Sequence, residues 1–158
     1  VTADVVVLGA GIVGLTTAVE LARAGRDVVV LEAREVGAGT TGASTAKATL
    51  VQGTRMSALA EHHPAEVLVR YAEANLVGQQ RIRRLCESAG VPFALSDGVS
   101  YATTSAGRAT LAAEASAMAV AGVPAELSDD APDLPFAVTG ALRLPGQVEF
   151  QPQSYLLA

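Results

Sequence analysis

The 158-residue chain is 50% apolar and 17% charged with a formal net charge of -5, a balance that builds a buried core and argues against a largely disordered chain. That charge, with no segment concentrating Lys and Arg, argues against a nucleic-acid partner. The single cysteine, Cys86, leaves no intrachain disulfide or paired-cysteine zinc site and suits a reducing cytoplasm. Asp4 to Leu8 reads as a valine-rich parallel strand covered on both faces. Asp4 and Glu20 bracket the apolar start, no basic stretch precedes it and glycines interrupt it, so it does not read as a signal sequence. No run approaches the roughly 20 apolar residues of a membrane helix, and no membrane partner is expected.

Ile12 to Ala24 follows helical spacing, with rows at Val13, Thr17, Leu21 and at Leu15, Ala18, Ala22, and Gly25 stands where a left-handed C-cap belongs. Asp27 to Glu32 repeats the strand pattern within about 30 residues, the spacing of a βαβ crossover. Glu35 to Gly53, rich in Gly, Thr, Ser and Ala, reads as a binding loop. Pro64 opens a long helix to about Ala89, with Val67, Leu68, Tyr71, Leu76, Ile82 and Leu85 as buried candidates and Gly90 as its stop. His62 and His63 fall at its start, in a surface or capping role. Cys86 falls on the apolar side with Ile82, as an inert core thiol. Arg81 to Arg84 reads as a solvated helix face. Phe93–Leu95 and Val99–Thr103 are expected as short strands around a Ser96-Asp97-Gly98 turn, with Tyr101 in sheet packing, and a helix follows from an N-cap at Ser105 to Ala121. The acidic Glu126 to Asp133 stretch and Ser128 to Pro135 read as loop, and Gly140–Leu144 and Val148–Phe150 as strands.

Chemistry concentrates at Gly9-Ala10-Gly11-Ile12-Val13-Gly14, between the first strand and helix. Gly9 permits the tight turn, Gly11 lets backbone approach a pyrophosphate, and Gly14 lets helix pack on strand. The helix N-terminus adds free N–H groups and partial positive charge. Glu32, eighteen residues past Gly14 at the end of the second strand, is placed to accept hydrogen bonds from ribose hydroxyls and would repel the 2'-phosphate of NADP. FAD and NAD remain open on these residues.

The segment Glu32-Ala33-Arg34-Glu35-Val36-Gly37-Ala38-Gly39-Thr40-Thr41-Gly42-Ala43-Ser44-Thr45-Ala46-Lys47 resembles the loop after the ribose acid in the D-amino acid oxidase and glycine oxidase superfamily of flavoproteins. The resemblance implies FAD, with Thr40 and Thr41 near the phosphates and Thr45, Ala46 and Lys47 toward the flavin. Lys47 either approaches the flavin ring or is a solvated loop lysine; Arg34 either covers the adenine or solvates the strand end. More loosely, the long helix, Gly98–Thr103, Ala141–Gly146 and Gln151-Pro152 follow the family order. The Thr-Thr-Gly and Thr-Ala-Lys pattern resembles a subgroup that often carries a C-terminal Rieske domain. Cys86, His62 and His63 cannot make its two-Cys, two-His ligand set, so such an electron-transfer domain would lie outside this chain.

The expected fold class is α/β: a Rossmann-like FAD-binding βαβ unit with a long helix and the start of a mixed-sheet substrate lobe. Residues 1–90 are expected to form the FAD-binding portion, 91–150 a partial substrate lobe, and 151–158 the start of a helix returning to the FAD domain of a longer protein. The implied activity is oxidation of an amine or amino acid by hydride transfer to flavin, with no catalytic residue assigned and no metal. The alternatives are a noncatalytic nucleotide-binding fragment and an NAD-dependent dehydrogenase.

Overall fold

A computed structural model describes residues 2–131 and 133–158, so Pro132 of the acidic segment lies outside the described residues. In chain order the elements are β1 Val5–Leu8, α1 Ile12–Arg23, β2 Val28–Leu31, β3 Lys47–Ala48, α2 Arg55–His62, α3 Ala65–Ala89, β4 Phe93–Ala102, α4 Ser105–Val120, β5 Glu126–Ser128, β6 Gly140–Phe150 and α5 Pro152–Leu157. They fall into two units: Val1–Lys47 with Leu85–Phe93 and Phe150–Ala158, and Ala48–Arg84 with Ala94–Glu149.

In the first unit β1 and β2 pair in parallel, Val5 opposite Val28 and Leu8 opposite Leu31. Gly25, at φ 80°, takes the left-handed position that ends α1. Of the two expected rows, Leu15, Ala18 and Leu21 are seated while Val13, Thr17 and Ala22 are exposed, so the first row is mostly outward and the second mostly inward. The two-faced burial expected of β1 is not met either: Leu8 is 79% and Val6 54% exposed, because within this unit α1 packs on one face of the strand pair. Cys86 is fully buried, and burial pushes its thiol pKa up, which keeps it protonated and unreactive. In α5, Tyr155 shares a 2.9 Å hydrogen bond with the Thr16 hydroxyl and meets Phe150 edge-on.

The second unit is a sheet in the order β3-β6-β4, with β5 antiparallel on β6, Leu127 opposite Leu142. Its core joins Met56, Leu68, Ala72, Leu111, Met118, Leu142 and Leu144. Several expectations are corrected here. The two short strands around residues 96–98 are one strand, β4, because Gly98 serves packing rather than a turn. A Cβ there would lie 3.0 Å from Thr49 Oγ1 and from Val51 Cγ2. Likewise β6 is continuous, passing through Gly146 at φ 71°. Part of the acidic stretch is β5, Asp129 pairs with Arg108 at 2.7 Å and Asp133 with Arg143 at 2.6 Å, and Asp97 is also on Arg143. Those two carboxylates raise the pKa of Arg143.

The helix α2 was not expected. His62 is its last residue and His63 its C-cap, so neither begins the long helix. Thr54, at its N-cap, makes no side-chain cap bond. The buried carboxylate of Glu114 on α4 does so instead, accepting from Met56 N–H at 2.9 Å and Ser57 N–H at 2.7 Å. The cap of α4 is Thr104, one residue before the expected Ser105, with its hydroxyl accepting from Gly107 N–H at 3.1 Å. On α3, Leu68 and Leu85 are buried and Val67, Tyr71 and Ile82 half-buried, but Leu76 is exposed. Tyr101 is 50% exposed and meets Phe136 with the rings tilted, centroids 5.1 Å apart, so it covers the sheet rather than packing inside it. Among the described residues no helix is long and apolar enough to cross a membrane, and no cluster of His, Cys, Asp and Glu could hold a metal ion.

Candidate functional site

The glycine turn lies wholly in the first unit. Gly9, at φ 100°, donates its N–H to Leu31 O at 2.7 Å, tying the exit of β1 to the end of β2. A Cβ on Gly14 would lie 2.0 Å from Gly9 O, so only hydrogen fits where α1 crosses the turn. Gly11 occupies the N-cap of α1 and has no side chain to cap it. Thr41 fills that role from the loop: its Oγ1 accepts from Ile12 N–H at 3.1 Å and would lie 3.2 Å from a Cβ on Gly11. Accepting there leaves the Thr41 hydroxyl proton free to donate onward to an anion at the helix N-terminus.

Glu32 closes the other side. One carboxylate oxygen accepts from Ala10 N–H at 2.8 Å and the other from Arg34 N–H at 2.9 Å. These two backbone donors, Ala10 first, hold its pKa below the usual carboxylate range. Each oxygen keeps a lone pair for a hydroxyl donor. The stability this provides is fully present above the unfolded carboxylate pKa and is lost as pH falls through the lowered folded value. In acid titrations of unfolding, the difference between wild type and Glu32→Gln should therefore be full near neutrality and vanish below the ordinary carboxylate range; a difference that grows with acid would contradict this.

The loop that carries Thr41 repeats the first motif. Gly37-Ala38-Gly39-Thr40-Thr41-Gly42, within the expected binding loop, is a second GxGxxG. Gly37 has φ 73°, Gly42 N–H donates to Gly37 O at 3.0 Å, and a Cβ on Gly42 would lie 2.3 Å from that oxygen, the same device as Gly14 over Gly9. Gly37 N–H donates to Ala10 O at 3.1 Å, fastening the second turn to the first. Gln153 of α5 supports it, its Nε2 donating to Val36 O. Gln153 carried no signal in the sequence, because its role depends on a contact 117 residues away.

The sequence-derived residues thus divide. Gly9, Ala10, Gly11, Ile12, Gly14, Glu32 and Thr41 converge. Val13, Ala33, Arg34 and Thr40 are exposed around them, with the Arg34 guanidinium 3.6 Å from where a Gly39 Cβ would be. Thr45, Ala46 and Lys47 come at the loop's exit. Ala46 takes φ 59°, uncommon for a residue with a Cβ, with its N–H on Ser44 Oγ and its carbonyl accepting from Phe150 N–H. Thr45 and Lys47 are exposed.

The profile of the DAO family, FAD dependent oxidoreductase, matches residues 4–158. The chain belongs to this family of FAD-dependent oxidoreductases. It is 31% identical over 157 residues to the Bacillus subtilis protein YhfW, named for a Rieske 2Fe-2S iron-sulfur centre, covering 98% of this chain and 31% of that protein. Two solved structures share the fold. They are glycine oxidase from Geobacillus kaustophilus (TM-score 0.72, 21% identity, 98% of this chain and 42% of that one) and FAD-bound L-α-glycerophosphate oxidase from Mycoplasma pneumoniae (TM-score 0.75, 16% identity, 99% and 41%). The chain thus spans about a third of the length of its curated relative. The family's cofactor is FAD, and the residues present fit its adenosine diphosphate end. An added Cβ would crowd the cradle at Gly11, the Thr41 hydroxyl accepts from the helix N-terminus and keeps its proton to donate, and a carboxylate with spare lone pairs stands at the end of β2.

Proposed function

We propose that the first unit grips the adenosine diphosphate end of FAD in a protein that oxidises an amine or amino acid. The observation that carries this reading is the convergence of the Thr41 hydroxyl and the Glu32 carboxylate on the Gly9–Gly14 turn. In it, the N–H groups of Gly11 and Val13 and the hydroxyls of Thr40 and Thr41 take the diphosphate, with Ile12 N–H holding the Thr41 hydroxyl in place, and Glu32 accepts from the ribose hydroxyls. Ala33 and Arg34 border the adenosine. Thr45, Ala46 and Lys47 face the flavin, where the Lys47 ammonium stabilises developing negative charge. When bound, FAD supplies the acceptor for the hydride removed from the C–H bond next to nitrogen. Residues 1–90 form the FAD-binding portion, 91–150 part of the substrate lobe, and 151–158 the start of the return to the FAD domain. The likeness to YhfW supports an electron-transfer domain outside these residues, and the single buried thiol suits the cytoplasm.

Two measurements test this. Thr41→Val, which keeps the shape and removes the hydroxyl, is expected to cost about 1 kcal/mol of stability from the lost cap and to weaken FAD binding about tenfold, with Thr41→Ser restoring both; equal FAD titrations for all three would count against the phosphate role. For the reaction, the FAD-loaded protein is mixed anaerobically with amines, amino acids and glycerol phosphate, and the yellow flavin absorbance is followed. Bleaching by an amine or amino acid is expected. Bleaching by glycerol phosphate alone would reassign the substrate to an alcohol, and no bleaching by any would favour nucleotide binding without turnover.

A further inference from the structure

The loop that carries Thr41 has no regular structure of its own to stiffen it: residues 36–43 are turns between β2 and β3. Gly37 N–H on Ala10 O and Ile12 N–H on Thr41 Oγ1 join it to the first glycine turn. The helix α5 meets it as well. Gln153 Nε2 donates to Val36 O at 3.3 Å, and the Gln153 Oε1 and Leu156 Cδ1 atoms lie 2.5 and 2.8 Å from where a Cβ on Gly37 would stand. The same Oε1 is 3.7 Å from the Cβ position of Gly42. Gln153 and Leu156 are three residues apart and share a face of the helix. That face rests on the bare backbone of Gly37, and any side chain there would push α5 away.

Tyr155 lies on a different face of α5 and bonds the Thr16 hydroxyl at 2.9 Å. Thr16 stands about one turn along α1 from Ile12, whose N–H holds Thr41. One short helix therefore touches both parts of the cradle, α1 and the loop that caps it. Its own start is set locally: Gln151 Oε1 accepts from Gln153 N–H at 2.7 Å, and the buried Pro152 opens the first turn. This fixes the backbone from which the Gln153 side chain reaches the loop.

We propose that Gln153 and Leu156 are positioning residues for the cofactor grip, holding the second glycine turn so that Thr41 stays on the N-terminus of α1. This rests on the reading of the first unit as a grip on adenosine diphosphate. Coupling between sites is reciprocal, so a ligand that needs Thr41 in place also holds α5 against the loop. The test titrates the chain with ADP and follows amide hydrogen exchange at Tyr155, whose N–H is bonded to Gln151 O within α5. Gln153→Ala and Leu156→Ala are each expected to weaken ADP about fivefold, and saturating ADP to slow Tyr155 exchange by a similar factor in the wild type. Because both side chains act through Thr41, adding Gln153→Ala to Thr41→Val should weaken ADP by no more than about a further twofold. Gln153 is exposed and alanine is the best helix former, so Gln153→Ala leaves α5 itself intact. Unchanged ADP affinity in both single variants, full additivity with Thr41→Val, or Tyr155 exchange indifferent to ADP overturns the positioning role and leaves the grip standing. ADP affinity unchanged by Thr41→Val removes the phosphate role of Thr41, and this proposal with it.

Discussion

Replacing Gly14 with alanine is expected to lower the stability of the chain by about 2–3 kcal/mol, at the upper end of overpacking costs, and to weaken FAD binding about 100-fold or more, two factors of about 1.4 kcal/mol each. The new methyl would lie 2.0 Å from Gly9 O and 3.1 Å from Gly9 C, both backbone atoms with no flexible end to swing away. Gly9 cannot retreat cheaply, because its N–H is bound to Leu31 O and the next N–H to Glu32. Relief must come from lifting α1 off the turn, which moves the donors that would meet the diphosphate. Urea unfolding and FAD titration of Gly14→Ala measure the two effects. Gly78→Ala is the control: Gly78 sits inside α3 with nothing within 4 Å of an added Cβ, so that change should stabilise by about 0.5–1 kcal/mol. Equal effects from the two substitutions would show that the Gly14–Gly9 approach is not what constrains the site.

Removing the Glu114 carboxylate is expected to be the costliest single change in the second unit. Glu114 is 1% exposed, and its two oxygens are the acceptors for Met56 and Ser57 N–H at the start of α2. Glu114→Leu strands these donors where Met56 is itself buried. At about 1–3 kcal/mol for each of the two unsatisfied groups, the loss is about 2–6 kcal/mol, a large share of an ordinary domain's stability. Glu114→Gln keeps one acceptor and turns an NH2 toward a donor, so an intermediate loss is expected. Hydrogen exchange should localise the defect to the first turn of α2. A Glu114→Leu protein as stable as wild type would mean that α2 does not depend on this cap.

The same residue explains why α2 was invisible in the sequence. A helix boundary is legible when a neighbouring residue marks it, as Gly25 ends α1 and Gly90 follows α3. Thr54 gives no cap bond, and the acceptor comes from another helix 57 and 58 residues on. Glycine misled the reading in a related way. Gly98 read as a turn because small residues favour turns, whereas its place in β4 is set by the crowding of Thr49, Val51 and Gln147 from elsewhere in the chain. Apolar periodicity found α3 but not the bonds of Tyr71 and Asn75 with Gln52 and of Gln79 with the Ala48 carbonyl, whose partners are an irregular segment and a two-residue strand with no periodicity of their own.

The site was more legible than the lobe around it, for a physical reason. A tight turn, a close helix approach and a strand-end carboxylate are requirements that neighbouring residues meet, so Gly9, Gly11, Gly14 and Glu32 declare themselves. Thr41 was also placed near the phosphates, though only through the family resemblance. In the structure Thr41 binds Ile12 N–H and so caps a helix whose own N-cap is glycine. The second GxGxxG, at residues 37–42, is spelled out in the sequence, but no strand runs directly into it and no helix starts directly from it to mark it as a turn of the same kind.

Displacement of bound FAD tests the central claim most directly. The chain is loaded with FAD and titrated separately with ADP and with FMN. A grip on the adenosine diphosphate end predicts that ADP displaces FAD, that FMN does not, and that Thr41→Val and Glu32→Gln weaken ADP and FAD in parallel. Displacement by FMN with ADP inert would contradict it.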